Sequence, residues 1–226
     1  MQTVEEALIA AQHKAEALFA AVISTGLIRA GTLESELSAQ IHALAHERFG
    51  VRRHWHKRVV RSGVNTVLTY HDDPPDRRIA ADDVVYLDFG PLFDEWEADF
   101  GRTYVLGTDP RKHQLVHDIR AAFRRGKQRY LDDPELTAGS LYEFVCELAI
   151  EAGWEFGAPT AGHLIGHFPH EKNVAQRFSI RQDNLTKLRE RDAAGAPRHW
   201  ILEIHFVDRA KRFGGFFEEL LTIGPA

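Results

Sequence analysis

A single cysteine, Cys146, stands in a chain of 226 residues. That scarcity excludes an intramolecular disulfide and any zinc cluster built on thiolates. Long apolar runs are missing as well: no stretch approaches the ~18–20 residues that a membrane span requires. Nor is there an excess of positive charge. Lys and Arg number 28 against 33 Asp and Glu, a net charge of −5, which argues against a dedicated nucleic-acid binder. The opening Met1-Gln-Thr-Val-Glu-Glu places two acids where a signal peptide carries positive charge. These absences together predict a soluble, cytoplasmic protein with no nucleic-acid and no membrane partner.

What is present is core-forming material, 44% of the residues being apolar, and 13 histidines. The length suits one domain over residues 1–226. Apolar spacing predicts a helix over residues 3–24 with Thr3 as cap, and a second over about 32–46 that ends before Gly50. His54 to Ser62 and Thr66 to His71 read as strands, and Asp72-Asp-Pro-Pro-Asp as a turn. Val84 to Gly90 reads as a buried strand with a hairpin partner at Asp99 to Leu106. Helices over about 110–131 and 138–152 follow. The tail reads as a strand over Trp200 to Val207, a turn around Lys211 to Gly215, and a strand over Phe216 to Ile223. Two helices then strands, twice over, predicts a pseudo-symmetric α+β domain with a curved sheet. Residues 176–199, polar and charged, read as an exposed loop or lid.

The chemistry sits where charge interrupts apolar runs. Asp88 breaks the strand Val84-Val-Tyr-Leu, and Asp99 follows 11 residues later across the hairpin. Glu203 breaks Trp200-Ile-Leu-Glu-Ile, and Glu218 follows Phe216-Phe217. Carboxylates are rarely buried without a partner or a metal, and four together repel unless cations neutralise them. Gly162-His-Leu-Ile-Gly-His-Phe-Pro-His-Glu adds His163, His167 and His170. Four carboxylates and an imidazole make a mostly oxygen site that suits a pair of divalent ions, Mn, Fe, Co or Zn. Such a pair can share a water, make it hydroxide at neutral pH and polarise a carbonyl.

In the order Gly63-Val-Asn-Thr…His71, Leu87-Asp-Phe-Gly, Ala98-Asp-Phe-Gly-Arg-Thr, Gly162-His…His170-Glu, Glu203 strand and Glu218 strand, the chain resembles the M24 metallopeptidases. This is the pita-bread group of methionine aminopeptidases, Xaa-Pro aminopeptidases and prolidases. The resemblance runs from about Thr32 to the C-terminus and implies a curved, mainly antiparallel sheet with helices on its outer face. It implies two divalent ions, manganese foremost, with Asp88 on one ion, Asp99 and Glu218 bridging both, and His163 and Glu203 completing the other. It also implies Glu203 as proton shuttle, His170 on the scissile carbonyl or its oxyanion, and His71 near the leaving group. Glu218 is chosen over its neighbour Glu219 because Leu221 and Ile223 then take the family's apolar spacing.

The activity implied is hydrolysis of an amide near the N-terminus of a peptide or small amino-acid conjugate. The chain also departs from the family. Ile204 follows Glu203 where peptidases usually have Pro, Leu164 stands where methionine aminopeptidases usually have Gly, and the stretch between Glu203 and Glu218 is short. His205 should share the face of Glu203 and serve as a second-shell partner or narrow the pocket; His167 reads as structural or second shell. Two other classes therefore stand beside the peptidase: a metalloenzyme acting on a small metabolite by C–N hydrolysis or, with iron, oxidation, and a non-catalytic binding protein. His54 and His56, alternating with Trp55 on one strand, either both line the cleft or, as expected here, both face water; Arg124-Arg125 with Lys127 and Arg129 are expected to form a solvated face, and Cys146 to be an inert core thiol. Spare apolar surface on the first helix makes a homodimer a candidate.

Overall fold

A computed structural model describes residues 2–169 and 178–223. Helix α1 (Val4–Ser24) starts in a capping box, in which Thr3 Oγ1 accepts from the Glu6 amide and the Glu6 carboxylate accepts from the Thr3 amide. Helix α2 (Glu34–Phe49) leads into β1 (Val59–Ser62), β2 (Val84–Phe89), a short hairpin β3 (Leu92–Phe93) and β4 (Trp96–Glu97), and β5 (Phe100–Val105). Asp94 and Glu95 turn that hairpin with φ of 53° and 66°. Helices α3 (Pro110–Asp132) and α4 (Ala138–Glu151) precede β6 (Glu155–Phe156), β7 (Leu164–Ile165), β8 (His199–Asp208) and β9 (Phe213–Leu220). The expected repeat of two helices then strands is present.

The main sheet runs β1-β2-β5-β9-β8-β6, every pairing antiparallel, and β7 adds to β8. Side chains alternate between its faces, and the alternation divides structure from chemistry. Trp200, Leu202, Ile204 and Phe206 of β8 pack with Leu115, Ile119, Leu141 and Val145 of α3 and α4. Val85, Leu87 and Phe89 of β2 pack with Leu18, Phe19 and Leu37 of α1 and α2. Two helix pairs thus take up one face, and Tyr86, Asp88, Glu203, His205, Phe216 and Glu218 remain on the other, where they line a cavity. No helix among the described residues is long and apolar enough to cross a membrane.

The structure corrects four readings. Residues 54–58 and 66–71 are not strands. Gly63–Val67 is a 3-10 turn, in which Thr66 Oγ1 donates to the Gly63 carbonyl and Asn65 Nδ2 to buried Glu34. These local side-chain bonds outcompete a ladder. The final strand begins at Phe213, because Arg212 takes the left-handed conformation and shortens the turn. Gly214 lies inside the strand, where a Cβ would stand 2.7 Å from the Thr66 carbonyl oxygen. Outside these corrections, residues 178–198 are irregular and largely exposed, and they are pinned: Ala161 and Leu164 amides donate to Ile180 and Phe178 carbonyls, Gly139 donates to Asn184, and Ile180 and Leu188 are fully buried. Helix α1, finally, spends its apolar stripe on the fold. Ala7, Leu8, Ala11, Ala15, Leu18, Phe19 and Val22 are buried, leaving Val4 and Ile23 exposed at opposite ends.

Candidate metal centre

Strand register builds the site. Asp88 on β2 pairs with Gly101 on β5, Gly101 with Glu218 on β9, and Glu218 with Glu203 on β8. Three carboxylates therefore lie in one row across four strands, and Asp99, two residues before Gly101, turns to the same face. Gly101 makes the row possible: a Cβ there would fall 2.5 Å from the Phe216 ring and 2.9 Å from Glu218 Cβ. Asp88, Asp99 and Glu218 are buried to 8%, 4% and 2% exposure. Like charges directly opposite one another destabilise a sheet, so the row calls for a cation.

Imidazoles approach from two sides. His163 Nε2 lies 3.0 Å from Asp99 Oδ2 and 3.4 Å from Glu203 Oε1. His56 Nε2 lies 3.0 Å from Asp99 Oδ1 and 3.6 Å from Asp88 Oδ1. Donor atoms of His56, Asp88 and Asp99 fall within 4.8 Å of one another, and so do those of Asp99, His163 and Glu218. The two triads share Asp99. Among the described residues Glu218 Oε2 is buried without a hydrogen-bond partner, an atom whose desolvation a metal ion would compensate. The donor set, oxygen-rich with imidazole, fits a pair of divalent ions.

The electrostatics describe a cluster under strain. Burial pushes the Asp88 carboxyl up to about 7 and raises Glu203; it drives Glu218 well above the usual carboxylate range, with Asp99 and Asp88 adding to the shift. Burial also opposes the charged forms of His56 and His163. Nearby carboxylates outweigh it, Asp99 above all, and hold the two imidazoles at about 9 and about 10. Burial would raise Asp99 too, but His56 and His163 overcome it and hold the carboxyl below its ordinary range.

Asp88, Asp99, His163, Glu203 and Glu218 thus converge in the cavity, of about 280 Å³. Glu219 points to the opposite face and ion-pairs with Arg102. His71 is exposed on the cavity wall, its ring edge-on to Tyr70. His205 also lines the cavity. Its Nε2–H donates to the Thr66 carbonyl at 2.9 Å, and burial lowers it to about 4, so it ties the 3-10 turn to β8 as a neutral ring. His167 is exposed and packs edge-on against Trp96; it is not among the residues lining the cavity. His170 lies outside the described residues.

Sequence reading missed His56. It was expected to face water with His54, on the premise of a continuous strand. In fact residues 53–55 form an edge against 90–92, with the Trp55 amide donating to Gly90 and the Leu92 amide to Arg53. His56 turns inward and His54 packs against His42 and Phe89. A signal was available in Trp55-His56 beside a run of cations, but nothing local gives its direction.

Comparison with known proteins finds peptidase relatives for this chain. A Lactobacillus helveticus Xaa-Pro dipeptidase is 28% identical over 179 residues, 78% of this chain and 46% of that one. A Pyrococcus horikoshii Xaa-Pro dipeptidase is 27% identical over 64% of this chain and 40% of its own. The match therefore spans less than half the length of these curated relatives. Among solved structures, the prolidase of Pyrococcus horikoshii OT3 superposes with a TM-score of 0.74 at 23% identity, covering 94% of this chain and 57% of that one. The X-Pro aminopeptidase of Thermotoga maritima MSB8 gives 0.74 at 22% identity, covering 96% and 60%. These share the α+β pita-bread fold expected from the sequence. Residues 6–194 match metallopeptidase family M24, to which, on this match and on its fold, the chain belongs.

Proposed function

We propose that this chain is a dinuclear-metal hydrolase that cleaves an amide bond near the N-terminus of a short peptide or small amino-acid conjugate. The observation that carries the reading is the row Asp88–Gly101–Glu218–Glu203 facing the cavity, with Asp99 and His163 closing on it and Glu218 Oε2 left without a partner among the described residues. Asp99 and Glu218, at the centre, would be shared by both ions, Asp88 would hold one, and His163 and Glu203 the other. When bound, a pair of divalent ions supplies Lewis acidity for the carbonyl and a water acidic enough to attack at neutral pH. Glu203, whose carboxyl burial raises above its ordinary value, takes up a proton and returns it to the leaving amine. His71, on the cavity wall, contacts the leaving-group side. By resemblance, His170 donates to the developing oxyanion.

The cavity, about 280 Å³, is small for a ligand site and suits a dipeptide or less. The dipeptidase and prolidase relatives support that size of substrate. A second reading, a metalloenzyme acting on a small metabolite, draws on the same small volume and on His205 and Ile204 where a peptidase strand has proline. One assay separates them. Protein loaded with Mn²⁺ or Co²⁺ is offered Xaa-Pro dipeptides, other dipeptides and N-acyl amino acids. Metal-dependent cleavage of a dipeptide, lost in Asp99→Ala, is expected. Cleavage of N-acyl amino acids alone would narrow the substrate to small amino-acid conjugates, and a metal-replete protein that hydrolyses none of them would overturn the proposal and favour the second reading.

A further inference from the structure

His56 and His163 are held alike. Each donates its Nδ1–H to the carbonyl of the following residue, Lys57 and Leu164, at 2.7 Å. Each turns Nε2 to one oxygen of Asp99, at 3.0 Å in both cases. Donation from Nδ1 fixes the tautomer in which Nε2 is the ligand nitrogen, the arrangement by which proteins orient a metal-binding histidine. Trp55 braces both rings, edge-on at centroid distances of 4.5 Å to His56 and 5.3 Å to His163, and is itself anchored by Nε1–H donation to the Ala98 carbonyl. Gly90 clears the space: a Cβ there would stand 2.1 Å from His56 Cδ2 and 2.5 Å from Trp55 Nε1. His56 is thus a placed group aimed at Asp88 and Asp99.

We propose that His56 is a sixth protein ligand of the metal pair, completing the ion on the Asp88 side as His163 completes its neighbour. The inference rests on the dinuclear reading above. The ligand set carried by the resemblance gives the Asp88 ion carboxylates alone; with His56, each ion has one imidazole. Nitrogen in place of oxygen or water shifts selection away from Mn²⁺ toward Fe²⁺, Co²⁺ and Zn²⁺.

The test is X-ray absorption at the metal edge of protein loaded with two equivalents of Co²⁺, which counts imidazole scatterers and needs no catalysis. Wild type should show one imidazole per cobalt, and His56→Gln half of one. Calorimetric titration of Co²⁺ into metal-free His56→Gln should retain one site and weaken the other by at least about tenfold. His56→Asn serves if the glutamine variant does not fold, and the wild-type count stands without either. Two cobalts bound with half an imidazole each, and unchanged affinity in the variants, would overturn the role of His56 and leave the dinuclear centre standing. No cobalt bound by wild type would overturn both.

Discussion

Glu203 and Glu218 stand directly opposite each other on neighbouring antiparallel strands, both turned into the cavity. In a metal-free protein this pairing costs stability, because two acids, one buried and one half-buried, share one position in the ladder. Glu218→Gln should therefore stabilise the metal-free protein by about 1 kcal/mol, a rise in Tm of roughly 2–4 °C for a chain of this size. The folded carboxyl sits well above its unfolded value near 4.5. The contribution of the wild-type group is thus greatest below pH 4.5 and is lost as pH rises through the folded value, so the gap in favour of the variant should widen from pH 4.5 toward neutrality. Saturating divalent metal should reverse the order, since ligand at 100 times Kd adds about 2.7 kcal/mol to a protein that still binds it. Thermal melts with and without metal across that pH range check all three.

Glu219 should behave otherwise. It faces Arg102, whose guanidinium stacks on Phe100 and Phe217 at 3.6 and 4.1 Å from the ring centroids. Glu219→Gln should leave metal stoichiometry unchanged. Arg102→Ala removes packing and strands a half-buried carboxylate, at a cost of about 2–3 kcal/mol read by denaturant unfolding.

Gly101→Ala should cost about 1–3 kcal/mol, because the added methyl meets the Phe216 ring and Glu218 Cβ inside a packed row. The variant should also bind metal more weakly, since Glu218 must shift. Tm together with metal titration tests this; an unchanged titration would show that the row tolerates displacement.

His54 predicts an acid-side effect. Neither ring nitrogen has a hydrogen-bond partner among the described residues, and burial, reinforced by Arg58, His42 and His56, lowers it to about 3. Between pH 6.5 and 3 the unfolded chain therefore binds a proton that the folded chain does not, and stability falls as pH falls. His54→Phe should lose stability less steeply over that window, with a slope difference approaching one proton; equal slopes would contradict the assignment.

The helices were legible in the sequence because their signals are local: Thr3 with Glu6 three residues on, and Gly50 after Phe49. Asp88, Glu203 and Glu218 were legible because charge interrupts apolar strands whose alternation fixes facing. His56 was not. Its direction depends on Gly90, Pro91 and Ala98, more than thirty residues away, and on an edge pairing that carries no strand pattern of its own. Thr66 to His71 misled for a related reason. β-branched residues there read as strand, but Thr66 and Asp72 spend their side chains on local turns. The glycines before Phe216 read as the turn, though Gly214 serves the close approach of Thr66.

On the proposal above, the carboxylates of Asp88, Asp99, Glu203 and Glu218, three of them buried, gather to hold two ions. Elemental analysis of gently purified protein, repeated after reconstitution, tests it most directly. About two divalent ions per chain are expected, with the content sharply reduced in Asp99→Ala, whose carboxylate lies in both triads. Wild-type protein that is folded, carries no metal and takes up none would contradict it.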